Sequence, residues 1–176
     1  MIINFIRHTS VDVPQGITYG FTDVPLRDTF ETEAAETRSK LEGLHFDQVY
    51  CSPLTRCRRL AAVCGFPNPT LDARLKEMNF GEWEMKPWEE ISNDAHSEAW
   101  FADWIHTPTP GGESLKDQYE RLAQFLDELR TQPFRRVAVF AHGGILTCAR
   151  VYAGEYSLQE AFEHITPYGG IIEIQL

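Results

Sequence analysis

The sequence is poor in several features that mark particular classes of protein. It has four cysteines in 176 residues, with no Cys-X-X-Cys pair and no His/Cys cluster of zinc spacing. We therefore expect reduced thiols in a cytoplasmic protein. No apolar run is long enough to span a bilayer, and the segment from Met1 to His8 lacks the basic region followed by a long apolar stretch that is typical of a signal peptide.

Positive charge is also scarce. Lysine and arginine number 16 against 26 aspartates and glutamates, for a formal net charge of −10. This balance disfavours general binding to nucleic acid or to an anionic membrane. If the substrate is an anion, the cations that bind it must be concentrated in one pocket. The hydrophobic fraction of 43% is enough to build the core of one ordinary domain.

Short apolar runs alternate with helical patterns along the chain. The runs predict strands at residues 2–6, 46–50, 136–141 and 171–174. The periodicity and the stop signals predict helices at 30–41, 55–64, 87–106, 145–152 and 158–163, and one that begins at Ser114. Residues 71–80 are ambiguous between a short strand and a loop. Strands separated by helices favour an α/β fold with a mostly parallel sheet.

Three of the predicted strands end in residues that can do chemistry. Arg7-His8 follows the first strand, Ser52 and Arg56 follow the second, and His142-Gly143-Gly144 follows the third. Open α/β sheets bind ligands outside the carboxyl ends of their strands, so these segments are expected to converge. Each one alone is more typical of a cap, a tight turn or a solvated helix face. Together they predict a pocket with two guanidinium groups, which suits a phosphate or a carboxylate.

Two histidines beside two arginines are typical of phosphoryl transfer. One neutral imidazole can attack phosphorus while the other stabilises charge on the transferring oxygens. The leaving alkoxide then needs a proton, and one of the carboxylates between Glu77 and Glu84 could supply it. The alternative for these glutamates is a set of exposed loop charges.

Five segments, in this order along the chain, together resemble the histidine phosphatase superfamily, also called phosphoglycerate-mutase-like. They are Arg7-His8, Cys51-Ser-Pro-Leu-Thr-Arg56, Leu75-Lys-Glu77 with Phe80-Gly-Glu-Trp-Glu84, Pro110-Gly-Gly-Glu-Ser114 and Ala141-His-Gly-Gly144. The resemblance implies a three-layer α/β/α sandwich with a mostly parallel central sheet. It also implies one histidine phosphatase domain over residues 1–176, with a helical lid-like insertion around 83–110.

The resemblance further implies a role for each site residue. His8 would be the nucleophile that forms a phosphohistidine, and Arg7, Arg56 and His142 would hold the phosphoryl group. Glu77 would protonate the leaving group and later activate water. Tyr19, Gly20 and Gly143 would line the phosphate site. No metal and no cofactor are implied, because protein cations do the work that a metal does elsewhere.

The loop over residues 16–26 is most similar to the α-ribazole phosphatase branch. That branch removes the 5′-phosphate of α-ribazole 5′-phosphate in cobalamin synthesis. Three alternatives stay open: a broad phosphatase for sugar phosphates or phosphoglycerates, a mutase-like enzyme, and a non-catalytic domain that binds a phospholigand. The expected partner is a small-molecule phosphate monoester, without nucleic acid or membrane, and the expected state is a monomer or a homodimer.

Two positions depart from the family pattern, since Thr9 and Met85 stand where glycine is usual. If either turn needs a backbone conformation that favours glycine, the side chain would strain it. A cysteine-based phosphatase is disfavoured, because only four residues separate Cys51 from Arg56 where that chemistry uses five. Trp88 or Trp104, in the Trp-rich lid segment, could contact an aromatic leaving group, although packing onto the core explains most such rings.

Overall fold

The computed structural model describes residues 1–176 as a five-stranded sheet with helices on both sides. The strands are β1 (Ile2–Arg7), β2 (Gln48–Cys51), β3 (Thr70–Leu71), β4 (Arg136–Ala141) and β5 (Ile171–Gln175). The helices are α1 (Phe30–Lys40), α2 (Thr55–Val63), α3 (Trp88–Ile91), α4 (Ser97–Ala102), α5 (Leu115–Arg130) and α6 (Gly143–Tyr152). Short 3₁₀ helices occupy Ala73–Leu75, Gly81–Trp83 and Leu158–His164. No helix combines the length and the apolar character that a membrane crossing requires.

The sheet has the strand order β3-β2-β4-β1-β5. All neighbouring pairs are parallel except β5, which runs antiparallel to β1 at one edge. The prediction of a mostly parallel sheet is therefore confirmed. The other edge of the sheet is β3, which overlaps the start of the ambiguous residues 71–80 at Leu71.

Side chains of the central strands alternate between two buried layers, as the pleat of a strand requires. Ile3 and Phe5 pack with α5 and α6 on one face, whereas Ile6 packs with α1 and α2 on the other. β4 divides in the same way, with Val139 in the first layer and Phe140 in the second. The sheet and the helices packed on its two faces make the three-layer α/β/α sandwich that the family resemblance implied.

The prediction of one helix over residues 87–106 is wrong. The structure has two short helices there, α3 and α4, with a turn between them. Ser92 Oγ and Asn93 Nδ2 both donate to the carbonyl of Glu89, at 2.8 Å each, and Asp94 Oδ1 accepts from the His96 amide. Such side-chain bonds to nearby backbone compete with continuation of a helix, which is why Asn and Asp favour turns.

Candidate active site

The register of the sheet brings three strand ends together. Arg7 lies opposite Ala141 in the β1–β4 pair, and Cys51 lies opposite Phe140 in the β2–β4 pair. The ladder continues one residue beyond, because the amides of His8 and Ser52 donate to the carbonyls of Ala141 and Phe140 at 3.1 and 2.9 Å. The expected convergence of the three segments is confirmed, and its cause is the central position of β4.

His8 is almost completely buried at the end of β1. Its Nδ1 lies 2.7 Å from the carbonyl oxygen of Thr9. A carbonyl only accepts, so Nδ1 carries the proton and Nε2 keeps a free lone pair in the neutral ring. Burial and the nearby charges of Arg56 and Arg7 hold the pKa of His8 well below 6.5, against an opposing contribution from the bond to Thr9. The ring is therefore neutral and its Nε2 can act as a nucleophile.

His142 caps the start of α6, and its ring centroid lies 5.1 Å from that of His8. Arg56 Nε donates to Nδ1 of His142 at 3.2 Å. The proton of the neutral ring is then on Nε2, which donates to Ser52 Oγ at 2.8 Å. Burial and the Arg56 charge keep the pKa of His142 well below 6.5. The two imidazoles therefore carry their protons on different nitrogens.

Arg56 is fully buried, which excludes the solvated helix face as its location. Its Nη1 and Nη2 donate to the carbonyls of Thr22 and Gly20, at 2.9 and 2.6 Å. Gly20 thus anchors Arg56, and neither of these residues nor His142 is among those that line the cavity. A Cβ at Gly20 would lie 1.7 Å from the carbonyl oxygen of Met78, so only glycine fits where this loop crosses that segment.

Arg7 is held by groups that precede β5 in the chain. Its Nη1 donates to the carbonyl of Thr166 at 2.5 Å, and its guanidinium carbon lies 4.0 Å from the ring centroid of Tyr168. The Tyr168 hydroxyl is 2.7 Å from that of Tyr19. The buried Nε of Arg7 has no hydrogen-bond partner within the protein. A pair of tyrosines thereby joins two loops beside the Arg7 guanidinium.

Glu77 is the carboxylate that the fold directs into the cavity. Its Oε1 accepts from Gln118 Nε2 at 2.8 Å and from the Met78 amide at 3.1 Å. Its Oε2 accepts from the amide of Gly144 at 3.1 Å. A Cβ at Gly144 would lie 2.5 Å from Oε1, so this glycine gives the carboxylate its room.

The other two glutamates of this segment have different surroundings. Glu84 accepts hydrogen bonds from the amides of Gly20, Phe21, Thr22 and Phe80. A bond from the Thr22 hydroxyl and these amide bonds stabilise its ionised form and hold the pKa of Glu84 below its usual value despite burial. Glu82 is exposed. Of the three, Glu84 fixes the loop behind Arg56, and only Glu77 faces the cavity.

The cavity has a volume of about 230 Å³, and its wall combines polar and apolar residues. Its wall comprises Arg7, His8, Ile17, Thr18, Tyr19, Glu77, Met78, Phe80, Trp88, Leu115, Gln118, Gly143, Gly144, Thr147, Ala161, Phe162 and Ile165. Among the tryptophans only Trp88 belongs to this wall. Trp83 and Trp100 pack together in a small buried cluster, and Trp104 packs against the ring of Phe162 with the ring centroids 4.5 Å apart.

Sequence reasoning missed Gln118 and Tyr168. Gln118 had a signal, since it lies three residues after Leu115 and four before Leu122, on the predicted apolar stripe of α5, and it is indeed buried. A glutamine on a buried face needs a partner, and here that partner is Glu77. Tyr168 had no signal, because its position beside Arg7 depends on how the chain enters β5.

The two departures from the family pattern have opposite outcomes. Thr9 is fully buried, and its φ does not lie in the left-handed region, so the backbone strain considered for this position is absent. Met85 is the one non-glycine residue with positive φ, at 63°. It takes the left-handed conformation of the usual glycine and keeps the loop shape at a cost in strain.

Both cysteines near the site are poor nucleophiles. Burial raises the pKa of Cys51 to about 12, and it raises the pKa of Cys57 well above its usual value. The Cys57 sulfur packs 3.5 Å from Nε2 of His142. Because the thiolate is the reactive form, these thiols do not support a cysteine-based phosphatase.

Comparison with known proteins agrees with this geometry. The family model of the histidine phosphatase superfamily (branch 1) matches residues 3–176. The adenosylcobalamin/alpha-ribazole phosphatase of Escherichia coli K12 is 29% identical over 150 residues, which are 81% of this chain and 73% of that protein.

Two solved structures show the same fold. The alpha-ribazole phosphatase of Shigella flexneri superposes with a TM-score of 0.90 over 100% of this chain and 91% of that one, at 23% identity. The phosphoglycerate mutase of Thermus thermophilus superposes with a TM-score of 0.78 over 99% and 93%, at 28% identity. The resemblance predicted from the motifs is confirmed, and the chain belongs to branch 1 of the histidine phosphatase superfamily.

Proposed function

We propose that the protein hydrolyses phosphate monoesters in two steps through a phosphohistidine at His8. The observation that carries this proposal is the orientation of His8, whose Nδ1 is bonded to the Thr9 carbonyl so that Nε2 is the free nitrogen. The carboxylate of Glu77 and the guanidinium of Arg7 line the same cavity. A nucleophile, a proton donor and an anion-binding group therefore share one pocket.

In the first step, Nε2 of His8 attacks phosphorus while the bond from phosphorus to the ester oxygen breaks. Glu77, protonated at this stage, donates its proton to the departing oxygen, which leaves as an alcohol. In the second step, the Glu77 carboxylate takes a proton from water, whose oxygen attacks phosphorus. The N–P bond breaks, inorganic phosphate leaves, and His8 is again neutral.

Charge on the transferring phosphoryl group would be stabilised by Arg7, Arg56 and His142. Arg56 is fully buried and does not itself line the cavity. It uses three of its five N–H groups for contacts within the protein, one of them to His142, and two remain without an assigned partner. Arg7 has an unpartnered Nε and a ring stacked on its guanidinium. Because both cations are held before substrate arrives, little reorganisation is needed during reaction. Gly143 at the start of α6 completes the wall of the phosphate site.

For the substrate we propose α-ribazole 5′-phosphate. Similarity to the Escherichia coli phosphatase supports this choice. The cavity supports it independently, because its wall includes Phe80, Trp88 and Phe162. Such a wall suits a leaving group with a flat apolar ring. Residues 83–110 provide part of that wall, in keeping with a lid-like insertion in a single domain.

The main alternative is a phosphoglycerate phosphatase or mutase, because the phosphoglycerate mutase of Thermus thermophilus has the same fold. A phosphoglycerate carries a carboxylate besides its phosphate and needs a further cation to hold it. Arg7 is the one arginine on the cavity wall, which contains no lysine. The wall therefore favours a leaving group without a second anionic group.

The experiment is phosphate release by purified protein in EDTA, with α-ribazole 5′-phosphate, 3-phosphoglycerate and p-nitrophenyl phosphate as substrates. The matched control is His8→Ala. We expect preference for the first substrate, abolished by the substitution, and an acid-labile phosphoryl group on His8 after rapid quenching. Turnover that depends on His8 without this preference would refute the α-ribazole assignment and keep the chemistry. Binding of phosphate esters without any turnover would favour the non-catalytic alternative.

A further inference from the structure

Arg121 is a residue of α5 that does not line the cavity. Its side chain binds the backbone of the segment that contains Glu77. Its Nη2 donates to the carbonyl of Glu77 at 2.8 Å. Its Nη1 donates to the carbonyls of Lys76 and Arg74, at 2.7 and 2.5 Å. Three carbonyls within four consecutive residues therefore point at one guanidinium.

The remaining donors of Arg121 bind Glu113. Nε donates to Glu113 Oε1 at 2.8 Å, and Nη2 donates to Oε2 at 3.0 Å. All five N–H groups of the guanidinium thus have partners within the protein. Both side chains are largely buried, at 15% and 19% exposure, so this bidentate pair is held more firmly than an ordinary surface ion pair.

Glu113 binds the backbone on the other side of Glu77, at Asn79. Its Oε2 accepts from the amide of Asn79 at 2.8 Å, and its own amide donates to the Asn79 carbonyl at 2.8 Å. The pair of Arg121 and Glu113 therefore holds the backbone at residues 74–77 and again at residue 79. The side chain of Gln118, one turn before Arg121 on the same helix, meets the Glu77 carboxylate directly.

We propose that Arg121, bound to Glu113, is a positioning residue for Glu77 and sets the efficiency of proton donation to the leaving group. This inference rests on the proposed role of Glu77 as that donor. General acid catalysis needs the acid within hydrogen-bond reach of the departing oxygen, and a displacement of about 1 Å costs up to about a hundredfold in rate. The planar fork of Arg121 fixes three carbonyls at once. A lysine has three donors on a single nitrogen and cannot bind the three carbonyls and both oxygens of Glu113 together.

The test uses leaving groups that differ in their need for a proton. An alkyl phosphate such as glycerol 3-phosphate releases a strongly basic alkoxide, whereas p-nitrophenyl phosphate releases a stable phenolate. The quantity to measure is kcat/KM, since it reports transfer to His8 and not the later hydrolysis of the phosphohistidine. The variants are Arg121→Lys, Glu77→Gln and, as the matched control, Arg74→Lys. Arg74 has ion pairs with Asp72 and Glu128, and its side chain makes no hydrogen bond to the Glu77 backbone.

For Glu77→Gln we expect kcat/KM with the alkyl phosphate to fall by about 10²-fold or more, and much less with the aryl phosphate. For Arg121→Lys we expect the same selectivity at about tenfold, and Arg74→Lys should leave the ratio of the two values unchanged. Partial unfolding lowers both values equally, so the ratio does not depend on the folded fraction.

An equal loss with both substrates in Arg121→Lys, beside a selective loss in Glu77→Gln, would overturn the role of Arg121 and leave the proposed function intact. The absence of selectivity in Glu77→Gln would refute Glu77 as the proton donor, and the inference about Arg121 would fall with it.

Discussion

The Nε–H of Arg56 donates to Nδ1 of His142 across 3.2 Å, and both side chains are fully buried. A guanidinium next to an imidazole disfavours the imidazolium, and burial acts in the same direction to lower the pKa of His142. The same bond decides the tautomer, since Nδ1 accepts and Nε2 must carry the proton. Arg56 therefore fixes the proton position of a histidine that adjoins His8, and it adds to the larger effect of burial on the charge of that histidine.

The two buried histidines predict that stability falls in mild acid. Their folded pKa values lie well below the unfolded value of 6.5, so the unfolded chain binds more protons as the pH drops below 6.5. We expect each histidine to lower the free energy of unfolding by about 1.4 kcal/mol between about pH 7.5 and about pH 5.5. Urea unfolding at both pH values would measure this in the wild type and in His8→Gln. An equally large pH effect in the variant would contradict a buried neutral His8.

The stack of Tyr168 on Arg7 predicts a role in holding phosphate. Removal of the ring in Tyr168→Leu should weaken inhibition by inorganic phosphate several-fold, because a partly buried cation–π contact contributes about 1 kcal/mol to the placement of the guanidinium. Tyr168→Phe keeps the ring and loses only the hydroxyl bond to Tyr19. It is the matched control and should retain most of the affinity. Equal weakening in both variants would assign the effect to the hydroxyl pair instead of the stack.

The backbone conformation of Met85 predicts that glycine at this position would stabilise the protein. Its φ of 63° lies in the left-handed region, which costs a non-glycine residue about 1–2 kcal/mol, whereas glycine adopts it without strain. We expect Met85→Gly to raise the free energy of unfolding by about 0.5–1 kcal/mol after the greater flexibility of unfolded glycine is counted. Met85→Ala keeps a Cβ and should give no such gain. Chemical denaturation of the three proteins checks this, and a destabilised glycine variant would show that the Met85 side chain outweighs the strain.

We expect Trp88 to be a determinant of substrate preference. It is the tryptophan on the cavity wall, so Trp88→Leu should reduce kcat/KM for α-ribazole 5′-phosphate by about tenfold and that for a sugar phosphate far less. Phe101 contacts Trp88 with the ring centroids 6.3 Å apart but does not line the cavity. Phe101→Leu is therefore the control, together with Trp104→Leu. If the preference persists in Trp88→Leu, this wall does not select the substrate.

Much of the architecture was predictable because it depends on local pattern. Short apolar runs in the segment from Ile2 to Ile6 and in the segment that begins at Arg136 predict buried strands, and both strands are buried along most of their length. The helix predicted to begin at Ser114 does begin there, and Ser114 forms a capping box with Asp117. The long helix expected over 87–106 failed because side chains around Asn93 bond to local backbone, which periodicity does not register.

The sequence by itself determined the family, the strand ends with their reactive residues, and the cationic character expected of the pocket. Those features are carried by residue type and by short-range order along the chain. Only the tertiary structure decided which side chains meet: that Arg56 lies against His142, that Gln118 and Gly144 hold Glu77, and that Arg121 and Glu113 fix its backbone. These contacts join residues from 34 to 86 positions apart. They arise from the strand order and from the packing of α5 on the Glu77 segment, and local sequence contains neither.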